Sequence, residues 1–213
     1  PTFFELLTAM AMLCFARSGV DIAIFEVGLG GRLDATNILS ARWSAITSLG
    51  LEHTELLGNT LTAIAREKAG IVRPQTPLIT GELPEEARKE VARIATEKGA
   101  PWTVADPGSV QLNRDGLLEI DGIQGTFQAP AIRGPGIRAD LAISIALYRA
   151  VLEKLDKQLD TVQLRSALKN LRLPARVEVF PGLPTCCLDT AHTPESIKSL
   201  RQTLEEIGFP QPR

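Results

Sequence analysis

"VDIAIFEVGLGGRLDATN", residues 20–37, is the stretch on which the reading of the whole chain turns. Its first eight residues are mostly apolar and rich in β-branched side chains, too short for a buried helix, and so predict a strand covered on both faces. The run ends on a carboxylate, Glu26, followed by Gly28, Gly30 and Gly31. In open parallel sheets the crevice beyond the carboxyl ends of the strands is where ligands sit, so a strand closing on an acid and a glycine loop marks a place for chemistry. The glycines do not spell the dinucleotide fingerprint G-x-G-x-x-G, because position 33 is Leu and no helix clearly starts there. Two readings stay open on this pattern. The loop bends sharply close to a ligand, carrying Arg32 and Asp34 with it, or it is an ordinary strand-to-loop turn with a surface carboxylate.

Working outward, "FFELLTAMAMLCFAR" (3–17) is rich in helix formers and precedes Gly19, a helix feeding the strand at 20. "WSAITSLG" (43–50) repeats the strand pattern, "NTLTAIAREKAGI" (59–71) is helical, and "TPLIT" (76–80) is a strand that leads into the helix "PEEARKEVARIATEKG" (84–99) and the strand "PWTVA" (101–105). Strands alternating with helices predict an α/β fold: a mostly parallel sheet flanked by helices. From 110 to 128, "VQLNRDGLLEIDGIQGTFQ" changes to short alternating segments broken by "RDG" and "DG", the chemistry of hairpins and a small antiparallel appendage. "RADLAISIALYRAVLEKL" and "TVQLRSALKNL" give two helices, and "LPARVEVF" with "PTCCLDTAHTPES" gives two strands and a helix start. Pro174 marks a seam, with a main domain over 1–173 and the beginning of a second α/β domain over 174–213. There is no internal repeat.

Composition narrows the function. With 23 basic and 25 acidic residues in 213, the chain has no broad field for gripping a phosphate backbone, which argues against nucleic acid. Cys186 and Cys187 are neighbours and Cys14 lies in an apolar helical stretch, so neither disulfides nor a metal-type spacing is suggested, and a reducing, cytoplasmic setting fits. The longest apolar stretch falls short of a membrane span. The chain opens on Pro1 and reads as an internal piece of a longer protein.

Only two histidines occur, each just after a predicted strand. His53 follows strand 43–50 as Glu26 follows its own, so the two meet if those strands are neighbours; the plainer alternative is a hydrogen-bonded histidine in a polar loop. Lys68 lies near a helix end, where any cation gains from the dipole. Asp189 and His192 flank a strand-to-helix junction in which Thr193 is a good N-cap and Pro194 a good first residue, a place suited to a phosphate or ribose and equally to finishing a turn.

Three long blocks, "FFELLTAMAMLCFA…VDIAIFEVGLGGRLDATN", "TSLGLEHTELLGNTLTAIAREKAGI" and "LPARVEVF…LDTAHTPES", resemble in order and spacing the folylpolyglutamate synthase and dihydrofolate synthase family of the Mur ligase superfamily. That resemblance implies an ATP- and Mg2+-dependent ligase joining L-glutamate to dihydropteroate or a folate, a monomer whose partners are small molecules. It implies that Glu26 and His53 hold a magnesium ion bridging phosphates, and that Lys68, in "REKAGI", is carbamylated and helps place a second metal. It implies that Arg176, Asp189 and His192 face ATP, and that Thr2, Phe4 and Asp34 lie at the pterin end of the folate pocket. Three departures stand out. The phosphate loop G-x-x-x-x-G-K-[ST] is absent, so this piece alone is expected not to turn over ATP. Where the family has His-Gln and a downstream Asn, this chain has Gly136, Ile137 and Asp140, and Glu52 precedes His53 where relatives often have Asp. Another Mur-type ligase, or a noncatalytic folate- or nucleotide-binding relic, is the alternative reading.

Overall fold

The computed structural model describes residues 1–209; the end of the expected second domain, 210–213, lies outside the described residues. The chain divides into two compact groups, Pro1–Leu78 with Leu83–Trp102, and Ile79–Glu82 with the chain from Thr103 onward. In the first group, helix α1 (Phe3–Ser18) starts where Thr2 and Glu5 cap each other: the Thr2 hydroxyl accepts from the Glu5 N–H, and the Glu5 carboxylate accepts from the Thr2 N–H at 2.7 Å. It stops at Gly19, which takes the left-handed conformation (φ 59°) that ends helices cheaply. There follow β1 (Ser44–Ile46), the single turn α2 (Thr54–Leu57), α3 (Leu61–Lys68), β2 (Leu78–Thr80), α4 (Glu85–Glu97) and β3 (Trp102–Val104). The three strands form the parallel sheet in the order β1-β2-β3.

One expectation fails here. Residues 20–27 do not form a strand. A strand exists only through ladder hydrogen bonds, and among the described residues none engages the backbone of 21–27; Ile24 is 82 % exposed. The run keeps its extended, apolar character without a neighbour, tied down by the Phe25 ring meeting Phe15 edge-on at 5.4 Å. The helix expected over 59–71 also ends early, giving way at Ala69 to a tighter 3-10 turn, Ala69–Ile71.

The sealed core of this group is formed by Ile46, Ile64, Val72, Leu78, Val91 and Ala95 with their neighbours, where α3 and α4 pack against the sheet. Glu90 of α4 is 7 % exposed and receives Arg66 from α3 (2.8 Å) and Arg93 from its own helix (2.8 Å). Those two guanidinium groups hold its carboxyl down to about 2 against the effect of burial.

In the second group, β4 (Val110–Leu112), β5 (Leu118–Ile120) and β6 (Ile123–Phe127) make the antiparallel appendage that "RDG" and "DG" foretold, with an irregularity at Glu119/Ile120. Helix α5 (Gly134–Lys154) and helix α6 (Thr161–Asn170) follow, then β7 (Glu178–Phe180), β8 (Cys186–Leu188) and α7 (Pro194–Glu206). Strands β7 and β8 pair antiparallel with each other. Arg138 of α5 grips Glu206 of α7 through two hydrogen bonds of 2.6 and 2.9 Å. Among the described residues no helix is long and apolar enough to cross a membrane.

Candidate functional site

The expected residues fall in both groups, and each set is built by its own local folding. In the first, the glycine loop is a folded object. The Asp34 carboxylate accepts from the backbone N–H of Gly28 (3.0 Å) and Leu29 (3.0 Å) with one oxygen, and from the Thr36 N–H (2.9 Å) and hydroxyl (2.6 Å) with the other. Burial raises the Asp34 carboxyl pKa, but the bonds from Thr36, Leu29 and Gly28 outweigh it and leave it below the usual carboxylate value. Asp34 thereby caps the 3-10 turn Ala35–Ile38. Asn37 donates to the carbonyls of Arg32 (2.9 Å) and Gly70 (3.3 Å), and the Arg73 guanidinium reaches Asn37 and the Leu39 carbonyl. The "DATN" tail of the loop is spent on shaping it.

The glycines then let other elements approach. A Cβ on Gly28 would stand 2.6 Å from the Phe4 ring, so Phe4 and Asp34, both expected at the pterin end, both meet Gly28. A Cβ on Gly30 would meet Leu57 of α2 at 2.9 Å, and one on Gly31 would meet the carbonyls of Glu67 and Lys68 at 2.9 Å. The loop that starts at Glu26 is therefore wedged between α2, headed by His53, and the end of α3, where Lys68 sits. The Arg32 N–H to the Glu67 carbonyl (2.8 Å) and the Arg32–Glu67 ion pair (3.0 Å) fasten that second contact. His53 takes a left-handed conformation (φ 52°) and caps α2 with its carbonyl, leaving the imidazole exposed. The Glu26 side chain is exposed as well, and Lys68 is half-buried.

The loop that follows Glu26 thus touches the turn headed by His53 and the backbone of Lys68, but among the described residues no side-chain hydrogen bond or ion pair joins those three, and no three His, Cys, Asp or Glu side chains form a group able to hold a metal. Magnesium takes oxygen ligands and keeps several waters, so the exposed Glu26 carboxylate suits it, whereas an imidazole such as that of His53 is an unusual ligand for it. Thr2, the remaining residue expected at the pterin end, is committed to capping α1.

In the second group Arg176, Asp189 and His192 lie on facing segments. Asp189 accepts from the Val177 N–H with one oxygen (2.8 Å) and from the Ala191 N–H with the other (2.7 Å). The Thr190 N–H donates to the Ala175 carbonyl at 3.1 Å, so the loop bearing Arg176 is sewn to the end of β8. The Arg176 side chain is exposed, and its charge acts on Asp140 of α5, whose carboxyl is raised by burial while Arg176 opposes the rise. Asp140 therefore lies within the electrostatic reach of an expected ATP contact. His192 is fixed by Nδ1 against the Thr190 carbonyl (2.8 Å), and Thr193 and Ser196 cap α7 reciprocally, as the N-cap pattern predicted. Sequence reasoning missed the left-handed residues around Arg176, because Ala175 and Val177 are not residue types that announce such a turn. A cleft of about 590 Å³ in this group, lined by Pro107, Val110, Leu112, Pro135, Arg138 and Glu206 among others, contains none of the expected residues.

No family model matches the chain. It is 32 % identical over 219 residues to the folylpolyglutamate synthase of Lacticaseibacillus casei, a match covering 99 % of this chain and 51 % of that protein. Among solved structures, a folylpolyglutamate synthase–AMPPCP–folate complex superposes with a TM-score of 0.89 at 31 % identity, over 100 % of this chain and 53 % of that one. An E. coli relative in complex with DHPP and ADP superposes with a TM-score of 0.83 at 31 % identity, over 100 % and 49 %. The chain spans about half the length of these relatives.

Proposed function

We propose, for a chain homologous along nearly its whole length to one half of the folylpolyglutamate and dihydrofolate synthases, that it is the part of an ATP-dependent glutamate ligase that carries one edge of the metal site and part of the nucleotide site. The observation that carries this reading is the glycine loop wedged between the turn of His53 and the end of the helix of Lys68, with Glu26 leading into it. The whole protein would use ATP and Mg2+ to join L-glutamate to dihydropteroate, to a folate, or to both. The relatives' complexes with AMPPCP and folate, and with DHPP and ADP, support those substrate classes.

The chemistry accounts for the residue types. A carboxylate resists an amine because its anionic oxygen is a poor leaving group, so the γ-phosphoryl of ATP is first transferred to that oxygen, releasing ADP. The amine of glutamate then attacks the acyl carbon and loses a proton, and phosphate departs with the oxygen it received. Protein groups contribute positioning and charge stabilisation to such a transfer. Magnesium, when bound, neutralises charge on the phosphate oxygens. Glu26 and His53 would hold it, the folded loop keeping Glu26 in place through Asp34. Lys68, half-buried at the end of its helix, would act as its carbamate, an anion. Phe4, packed on Gly28, would offer a flat apolar surface to a pterin ring. Arg176, with an exposed guanidinium, would meet phosphate oxygens, with Asp189 and His192 beside it.

On the same reading the seam at Pro174 separates a central ligase domain, 1–173, from the start of the glutamate-side domain, 174–213. The near-neutral balance of charge and three free cysteines suit a cytoplasmic monomer working on small molecules. The test is ADP release by the complete protein that contains these residues, with dihydropteroate and with a reduced folate, each with and without L-glutamate. Release that requires glutamate and one of those acids is expected, and Glu26→Gln should reduce it by about 100-fold or more. Release that ignores both acids would contradict the proposal and favour a Mur-type ligase for another carboxylate.

A further inference from the structure

Where the glycine loop meets the end of α3, backbone lies against backbone. A Cβ on Gly70 would stand 2.5 Å from Arg32 Cα and 2.8 Å from the Arg32 nitrogen, and one on Gly31 would meet the Lys68 carbonyl at 2.9 Å, so no side chain fits between the two segments. One side chain spans the contact from its flank. The Asn37 amide nitrogen donates to the Arg32 carbonyl (2.9 Å) on the loop and to the Gly70 carbonyl (3.3 Å) beyond α3. An amide nitrogen carries two hydrogens, so both are used. The Asn37 side-chain oxygen accepts from Arg73 at 2.9 Å, and Arg73 also donates to the Leu39 carbonyl at 2.8 Å. A carbonyl can only accept and a guanidinium can only donate, so these partners fix which end of the amide is which. Gly70 sits in the 3-10 turn directly after Lys68, and Arg32 lies in the loop that Glu26 leads into. Asn37 itself is half-buried.

We propose that Asn37 is a positioning residue for the ligase reaction: its amide sets the spacing between the loop led by Glu26 and the helix end that carries Lys68, and it touches neither metal nor substrate. Arg73 acts one step further back, by holding the amide in the orientation that donates to both carbonyls. The inference deepens the metal-site reading given above and rests on it. Groups behind metal ligands matter because the orientation of a ligand, as well as its identity, sets affinity. Among the described residues no ion pair joins Glu26 to Lys68, so the tether between their elements carries that task.

The complete protein that contains these residues is assayed for ligation across a range of free Mg2+ as wild type, Asn37→Asp, Asn37→Ala, Arg73→Lys and Glu26→Gln, each checked by a thermal melt. In parallel, amide exchange at Arg32, whose N–H donates to the Glu67 carbonyl at 2.8 Å, is followed without metal or substrate. Asn37→Asp keeps the size of the side chain and the acceptor for Arg73 but loses both donors, so it isolates the bridge. Its rate at limiting magnesium should fall about tenfold or more, and the Mg2+ giving half-maximal rate should rise by a similar factor. KM for L-glutamate and for the pteroate or folate acid should stay at the wild-type value. Excess Mg2+ should recover most of the lost rate, because every ligand is still present. Asn37→Ala should do as much, and Arg73→Lys, which keeps the charge and loses the fork, should fall between wild type and Asn37→Asp. Exchange at Arg32 should be faster in both Asn37 variants. A wild-type magnesium requirement in Asn37→Asp, or a loss expressed as a raised KM for the acid, would overturn the proposal, the second by showing that Asn37 meets the substrate. Should Asn37→Asp not fold, a wild-type requirement in Arg73→Lys overturns it instead. If Glu26→Gln keeps the wild-type magnesium requirement, or wild type makes no amide product, the metal-site reading fails on its own account. The tether is then judged by exchange alone: faster exchange at Arg32 in Asn37→Ala supports it, and unchanged protection refutes it.

Discussion

Residues 20–27 and strand β2 are written in the same apolar alphabet and meet opposite fates. Leu78 of β2 is wholly buried between two hydrogen-bonded neighbours, whereas Ile24 stands 82 % exposed with no ladder partner among the described residues. The helices beside them differ in the same way. Helix α4 confines its apolar side chains to one face and buries them; helix α1 is apolar nearly all round, and of its sixteen residues only Thr8 is buried. The difference teaches that hydrophobicity selects an extended or helical chain, while burial and pairing depend on what lies alongside. An apolar surface this broad normally marks a place where further protein packs.

Mutation can break or sharpen that contrast. The largest effect is expected in the sealed region, where Leu78→Ala should cost about 3 kcal/mol by loss of burial and creation of a cavity, read as a shift in the urea midpoint at unchanged slope. Next comes Glu90→Gln, which loosens the α3–α4 ion pairs and should cost about 2 kcal/mol at neutral pH, since the carboxylate is buried but its arginine partners are half-exposed. The sign follows from linkage. The folded carboxyl is depressed to about 2 from an ordinary 4.5, so its contribution is complete above the ordinary value and is lost as pH falls towards 2. Melts of wild type and Glu90→Gln should therefore converge in acid and separate above about pH 5.

In the open region Asp34→Ala removes the acceptor for two loop amides and the cap of a 3-10 turn, and should cost about 1 kcal/mol. It should also release Gly28 from its place behind Phe4, visible as faster amide exchange at Gly28 and Leu29. The smallest change is Ile24→Ala, expected within about 0.5 kcal/mol because the side chain is already in water. A loss as large as that of Leu78→Ala would mean that residues 20–27 are covered in solution, and the contrast would dissolve.

These regions also show why some features could be read in advance. Repeated alternation of strand and helix, the "RDG" and "DG" turns and the Thr193–Pro194 cap are local signals, and the parallel sheet, the antiparallel appendage and the start of α7 appear where those signals put them. The strand expected over 20–27 depended on a partner, which no local pattern encodes. At the site, the glycines foretold a sharply bent backbone close to something; that something proved to be Phe4, Leu57 and the end of α3 as much as any ligand. Asp34 looked like a ligand-facing acid, and its four hydrogen bonds are to its own loop. The turn at Arg176 was illegible because Ala175 and Val177 are ordinary residues in an extraordinary conformation, set by tertiary bonds to Asp189 and Thr190.

The central claim is that Glu26 and His53 supply the protein's side of a magnesium site at the head of the glycine loop. Electron paramagnetic resonance of Mn2+ titrated with AMPPCP into the complete protein that contains these residues, in wild type, Glu26→Gln and His53→Gln, tests it most directly. The account predicts that wild type retains bound Mn2+ at concentrations where each variant, weakened about tenfold or more, leaves it free. Equal retention in all three proteins would contradict it.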